Sequence, residues 1–200
     1  MSNITKKISE HTETNKNGNN AINKKRWIID SFHSEIGFRA KYLLFTNVKG
    51  SFKQFEAAIE TEGDDFAMAQ IELRINAASI DTGNEQRDTH LKNADFFDVE
   101  NFEEIIFRGT SIDKMNDTEY ELNGNLTIKG VKKQVTLDVE FGGMIKDPWG
   151  NQKAVFAITG KIKRSDWGLN WNAALETGGV LVSDEIRIEC EIQLAKKGDS

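Results

Sequence analysis

Ala78–Phe102, ASIDTGNEQRDTHLKNADFFDVENF, is the stretch that does not read as strand. Nearly everything on either side alternates apolar and polar residues in short runs, the pattern of half-buried strands. Within the stretch, Thr82 and Glu85 stand in the S/T-x-x-E relation of a capping box, in which each residue satisfies an orphan amide at a helix start. The spacing predicts one short helix over about 83–91. Asp88 and Lys92, four apart, are expected to pair on its exposed face. The adjacent Phe96 and Phe97 need burial. A single helix among strands is expected to lie as a lid over one end of a β-barrel.

On the N-terminal side, Trp27–Asp30 opens the fold. Ser34, Ile36, Phe38, Ala40 and Tyr42 then share one face, and a bend follows over 43–50. Phe52 and Phe55 are three apart, which breaks the period of two and predicts a bulge. Gly63–Asp65 is turn chemistry. Ala69, Ile71, Leu73, Ile75 and Ala77 form the next apolar face. Beyond the lid, 105–112 is a strand of open phase. Tyr120, Leu122, Gly124, Leu126 and Ile128 alternate clearly, and Lys129-Gly130 turns the chain. Val135, Leu137, Val139 and Phe141 share a face. After a turn at 147–151, Ala154, Phe156, Ile158, Gly160 and Ile162 make another. An irregular connection over 164–184 leads to a last strand carrying Ile186, Ile188, Cys190, Ile192 and Leu194.

These runs predict an all-β fold: a single antiparallel barrel of about eight strands, closed because closure removes sheet edges. A β-sandwich has the same periodicity. One domain is expected over 26–195, preceded by a disordered polar tail over 1–25 and followed by a frayed 196–200. The tail has no apolar core of a secretory signal, which reads as cytoplasmic; a chain whose export leader had been removed, and which worked in the periplasm, would look the same. With 32 acidic against 26 basic residues the net charge is −6, so nucleic acid is not an expected partner. Cys190 stands alone, excluding an intrachain disulfide, and reads as a small buried hydrophobe.

The chain resembles the YceI-like family of lipid-binding, lipocalin-like barrels. The resemblance is carried by Asp30 with His33-Ser34 and Ile36-Gly37-Phe38, then Val48-x-Gly50-x-Phe52-x-x-Phe55. Ser79–Asn84, Arg87-Asp88, His90-Leu91 and Asp95–Asp98 follow, then Gly124-x-Leu126-Thr127-Ile128-x-Gly130-Val131 and Arg164–Leu169. It spans roughly Trp27–Leu194. The resemblance implies a lumen holding a long amphiphile, a polyisoprenoid or a fatty-acid derivative, as ligand and without a separate cofactor or metal.

The residues expected to line that lumen are Ile36, Phe38, Tyr42, Phe52, Phe55, Ile71, Leu73, Ile75, Leu122, Leu126, Ile128, Leu137, Phe156, Ile158, Gly160 and Ile162. Inner-face glycine and alanine are expected to leave volume there, although glycine also serves to bend a closing sheet. Ten buried methylenes contribute roughly 8 kcal/mol, around micromolar affinity before association costs. An anionic head group calls for a cation at the mouth: Arg87 and Arg164 are candidates. Either arginine can instead be held in an ion pair, Arg87 with Asp81 or Asp88, Arg164 with Asp166 or Glu176. His33 and His90 are further rim candidates.

No catalysis is expected. His33 and Ser34 are strand neighbours and point to opposite faces, and no metalloprotease motif, phosphate loop or nucleophile elbow is present. An isoprenoid- or quinone-linked enzyme using His33, Asp81 and His90 is the alternative, and a packed-core stress-response protein without ligand is another. Trp149, Trp167 and Trp171 fall in connections, where they can plug a barrel end, touch a membrane or join a homodimer; the motif around Trp167 favours a plug.

Overall fold

The computed structural model describes residues 24–43, 45–174 and 181–197. Its strands are β1 (Lys24–Ile29), β2 (Glu35–Tyr42), β3 (Thr46–Phe52), β4 (Phe55–Glu62), β5 (Asp65–Asn76) and β6 (Ile80–Asp81). After helix α1 (Glu85–Lys92) come β7 (Glu104–Lys114), β8 (Glu119–Ile128), β9 (Val131–Lys146), β10 (Gln152–Lys163) and β11 (Val182–Lys196). All pairings are antiparallel, and β1 joins both β4 and β11, so the sheet closes.

The eleven segments make eight staves. β1 and β2 both run antiparallel to β11, through Trp27↔Lys196 and Ile36↔Cys190, so they are one stave interrupted at Asp30–Ser34. β3 and β4 oppose β2 and β1 in the same way and form the second stave, broken at Lys53–Gln54. β5 and β6 form the third, broken by a 3-10 turn at Ala77–Ser79. The lost period between Phe52 and Phe55 therefore marks a bend shared by three neighbouring staves, where a one-residue bulge was expected.

The groups freed by that bend are satisfied locally. Asp30 N donates to Gln193 O at 2.8 Å, and Gln193 N donates to Ser34 Oγ at 2.9 Å. Lys53 N and Gln54 N donate to Ser79 O and Oγ, and Asn76 N to Gln54 O. Such pairing is required because an unpaired buried amide costs as much as a lost hydrogen bond.

Over the first break, Asp30 accepts from Lys153 Nζ at 2.6 Å and lies 3.1 Å from His33 Nδ1. The Lys153 bond, with help from His33 and against partial burial, holds the Asp30 carboxyl below the usual carboxylate range. Its stabilisation is complete above the ordinary value near pH ~3.9 and is lost as pH falls through the depressed one. Asp30→Asn is expected to cost about 1–2 kcal/mol in urea unfolding at pH 7, and the difference from the parent protein should shrink steadily below pH ~4. A difference that stays constant into acid would contradict that origin.

The barrel end away from the helix is shut by aromatic side chains. Trp27 packs on Phe66 with centroids 5.2 Å apart, and Phe66 meets Phe156 at 5.0 Å edge to face. Phe156 also meets Phe141 at 5.1 Å. Trp27 is 1% exposed and donates Nε1–H to Thr61 Oγ1. β1 begins at Lys24, so Lys24 and Lys25 belong to the barrel and not to a polar tail; 1–23 lie outside the described residues. Lys196 ends β11 and Lys197 N donates to Arg26 O, so the chain remains ordered two residues into the expected frayed end; 198–200 lie outside the described residues.

The lid end is assembled from α1, the turns after it and a 3-10 turn at Arg164–Trp167. The helix starts two residues later than predicted. Its N-cap is Asn84, whose side chain accepts from Arg87 N, so Thr82 and Glu85 do not form the expected capping box. Asp88 does not pair with Lys92: it accepts from both Thr82 N and Thr82 Oγ1. Phe96 is buried and Phe97 meets Phe52 edge to face at 5.8 Å. Trp167, 1% exposed with Nε1–H donated to Leu126 O, is the expected plug. Trp149 is 83% exposed in the 147–151 turn and plugs nothing. Glu176 lies outside the described residues.

Candidate functional site: the barrel lumen and its rim

An unfilled cavity of about 720 Å³ runs inside the barrel from Phe66 and Phe156 up to α1. Along β8 it is lined from Tyr120 to Ile128, about 27 Å of tilted strand at ~3.4 Å per residue. The volume is in the range of sites that engulf one small ligand. A packed-core barrel would leave no such space.

All the expected lining residues face this cavity except Phe55 and Gly160. Phe55 follows the bend and is tipped into a shallow outer groove with Gln54, Arg74 and Val99. Gly160 is on the inner face, but the Leu137 side chain opposite lies over it: a Cβ there would be 2.5 Å from Leu137 Cδ2. At Gly124 a Cβ would be 2.3 Å from Phe107 Cζ and 2.7 Å from Arg108 O. These glycines were expected to leave open volume at their own positions. Instead they let Phe107 and Leu137 lie flat against the wall, and the lumen stays open beyond those side chains.

Polar lining concentrates at the lid end, in Tyr42, Thr82, Asn84, Gln86, Arg87, His90 and Arg164; Tyr120 is toward the other end. Asn84, Gln86 and Trp171 were not among the expected lining residues. Asn84 and Gln86 fall at the start of the predicted lid helix, where no apolar spacing marks an inward face.

Arg87 is half-buried. It donates Nε–H to Thr82 Oγ1 at 2.7 Å and Nη2–H to Thr82 O at 2.9 Å, in place of the ion pair with Asp81 or Asp88. Arg164 is 6% exposed and binds backbone carbonyls: Nη1 donates to Leu169 O and Trp171 O, Nε to Ser183 O, and Nη2 to Val182 O. It forms no pair with Asp166. Burial pulls its pKa below the ordinary value, opposed by the charge of Asp184. Arginine remains protonated regardless. Arg164 is therefore a strut for the 164–183 connection, and its donors are largely taken.

His90 lies 3.0 Å through Nε2 from Asp95 Oδ2, with its ring edge-on to Trp171 at 4.7 Å. His33 does not reach the lumen; it is exposed on the Asp30–Ser34 bend. Asp81 accepts from Gly83 N and pairs with Lys53. His33, Asp81 and His90 thus have separate partners and do not form one constellation. Among the described residues no three His, Cys, Asp or Glu side chains are grouped to hold a metal ion. Cys190 lines the lumen, and burial pushes its thiol up to about 11, which keeps it protonated.

The closed eight-stave barrel with one open apolar lumen defines a lipocalin-like protein. A model of the YceI-like domain matches residues 27–194, and the chain belongs to that family. A UPF0312 protein of Staphylococcus aureus strain N315 is 41% identical over 168 residues, 84% of this chain and 95% of that protein. Among solved structures, a Campylobacter jejuni YceI protein superposes with a TM-score of 0.67 at 34% identity, covering 84% of this chain and 96% of that one. Burkholderia cenocepacia BcnA gives 0.71 at 24% identity, over 82% and 98%. A polyisoprenoid-binding domain from Saccharophagus degradans gives 0.61 at 15%, over 86% and 98%.

Proposed function

We propose that this protein holds one long-chain amphiphile, a polyisoprenoid or fatty-acid derivative, with its tail in the lumen and its head under α1. It sequesters or carries that molecule and does no chemistry on it. The observation that carries this reading is the continuous unfilled apolar cavity between the aromatic plug and the lid. Leaving such surface empty forfeits contacts that a tail restores, at about 0.8 kcal/mol per buried methylene. The polyisoprenoid-binding description of the Saccharophagus degradans neighbour, whose likeness is one of fold, agrees with a lumen of this shape.

Below the polar rim the wall is aliphatic and aromatic, so affinity should rise with tail length while one tail is poorly distinguished from another. The test is native mass spectrometry of the protein purified gently from its own host, followed by organic extraction and lipid identification. A stoichiometric long-chain amphiphile is expected. A mass that remains that of the bare chain after addition of prenyl and acyl lipids would overturn the proposal.

A further inference from the structure

We propose that the head group received at the rim is anionic, a carboxylate or a phosphate, and that Arg87 is the residue that binds it. This rests on the lumen holding an amphiphile, and adds the chemical class of its polar end.

The chain as a whole is acidic, with net charge −6. Yet among the described residues no Asp or Glu lines the cavity: its charged side chains are Arg87 and Arg164, with His90 beside them, all at the lid end. A cationic group set against low-dielectric walls without a counter-ion attracts an anion far more strongly than one in open water. Arg164 adds charge there, but its donors are occupied by carbonyls.

Arg87 differs. Its two bonds to Thr82 orient the guanidinium without neutralising it. Thr82 is itself fixed by Asp88, which accepts from its amide and its hydroxyl. The carboxylate nearest in sequence is thus engaged on Thr82, and among the described residues Arg87 makes no ion pair. Its Nη1 donors have no protein acceptor there. An oriented guanidinium with free donors is built to receive paired oxygens of a carboxylate or phosphate. Asn84, Gln86 and Tyr42, which line the same rim, supply further donors.

The experiment measures binding of four probes to the full-length, delipidated protein: palmitic acid, hexadecanol, geranylgeranyl phosphate and geranylgeraniol. Each pair shares a tail and differs in its head. The anionic member is expected to bind about ten- to a hundredfold tighter than its alcohol, and added salt should weaken only the anion. Arg87→Gln should bring each acid close to its alcohol and leave the alcohols unchanged, whereas Arg87→Lys should keep part of the preference. A larger gain for the phosphate than for the carboxylate assigns the head to a phosphate, and the reverse to a carboxylate. Equal binding of acid and alcohol overturns the anionic head while the lumen reading stands. A preference that survives Arg87→Gln removes Arg87 from the role. Failure of all four probes to bind overturns the lumen reading itself.

Discussion

Arg164→Met is expected to be the most destabilising single substitution at the lid end, costing about 3–5 kcal/mol. Arg164 donates to the carbonyls of Leu169 and Trp171, in the connection after the 3-10 turn, and of Val182 and Ser183, at the start of β11. Hydrogen bonds from a charged donor contribute roughly 1.5–3 kcal/mol each, and carbonyls left buried and unpaired carry a desolvation cost. Methionine preserves the volume and removes every donor, so the loss isolates the polar role. For a chain of this size the cost corresponds to a fall of roughly 6–20 °C in melting temperature. Arg164→Lys should recover little, since a single ammonium does not reproduce the geometry of the planar fork. Because Trp167 and Trp171 are on the same connection, tryptophan fluorescence during chemical unfolding reads the site directly. A loss below about 1 kcal/mol would show that the connection is held by its packing, with the arginine incidental.

Gly160→Leu is the second large effect, and it falls on binding more than on stability. The new Cβ meets the tip of Leu137, a flexible side chain that can rotate into the lumen, where space exists. Overpacking of this kind costs about 1–3 kcal/mol, so the barrel should still fold. Leu137 and the new leucine then occupy volume that a tail needs. Losing room for two or three methylenes weakens binding of the longest ligands by roughly tenfold or more. Gly124→Ala provides the contrast. Its Cβ meets the Phe107 ring and also the Arg108 carbonyl oxygen, which is backbone and cannot rotate away. That variant should lose more stability for a smaller side chain. Lipid uptake by native mass spectrometry, beside urea unfolding of both variants, separates the two effects. Unchanged uptake by folded Gly160→Leu would mean the tail does not pass this part of the wall.

Much of the barrel was legible because alternation is local. Residues two apart in a strand share a face whatever lies beyond them. Ile36, Phe38 and Tyr42, or Leu122, Leu126 and Ile128, could therefore be assigned to the inside before any partner strand was known, and they line the lumen. The unequal spacing of Phe52 and Phe55 located the bend as well. Its extent was hidden, because it depends on β2 and β5 breaking at matching positions.

The sequence by itself determined the approximate number of staves, most of the inward faces, the one helix and the family pattern, all of which follow from short-range periodicity and ordered motifs. Only the tertiary structure decided which partners the long polar side chains take and where the empty space lies. Asp88 turned to Thr82 instead of Lys92, and Arg164 to carbonyls up to 19 residues away instead of Asp166. Such flexible side chains answer to whatever donor or acceptor the fold brings near, and burial makes satisfying those groups obligatory. The volume of the lumen likewise depends on how Phe107 and Leu137 lie against glycines of adjacent staves, a relation between chains of atoms distant in sequence that no local pattern encodes.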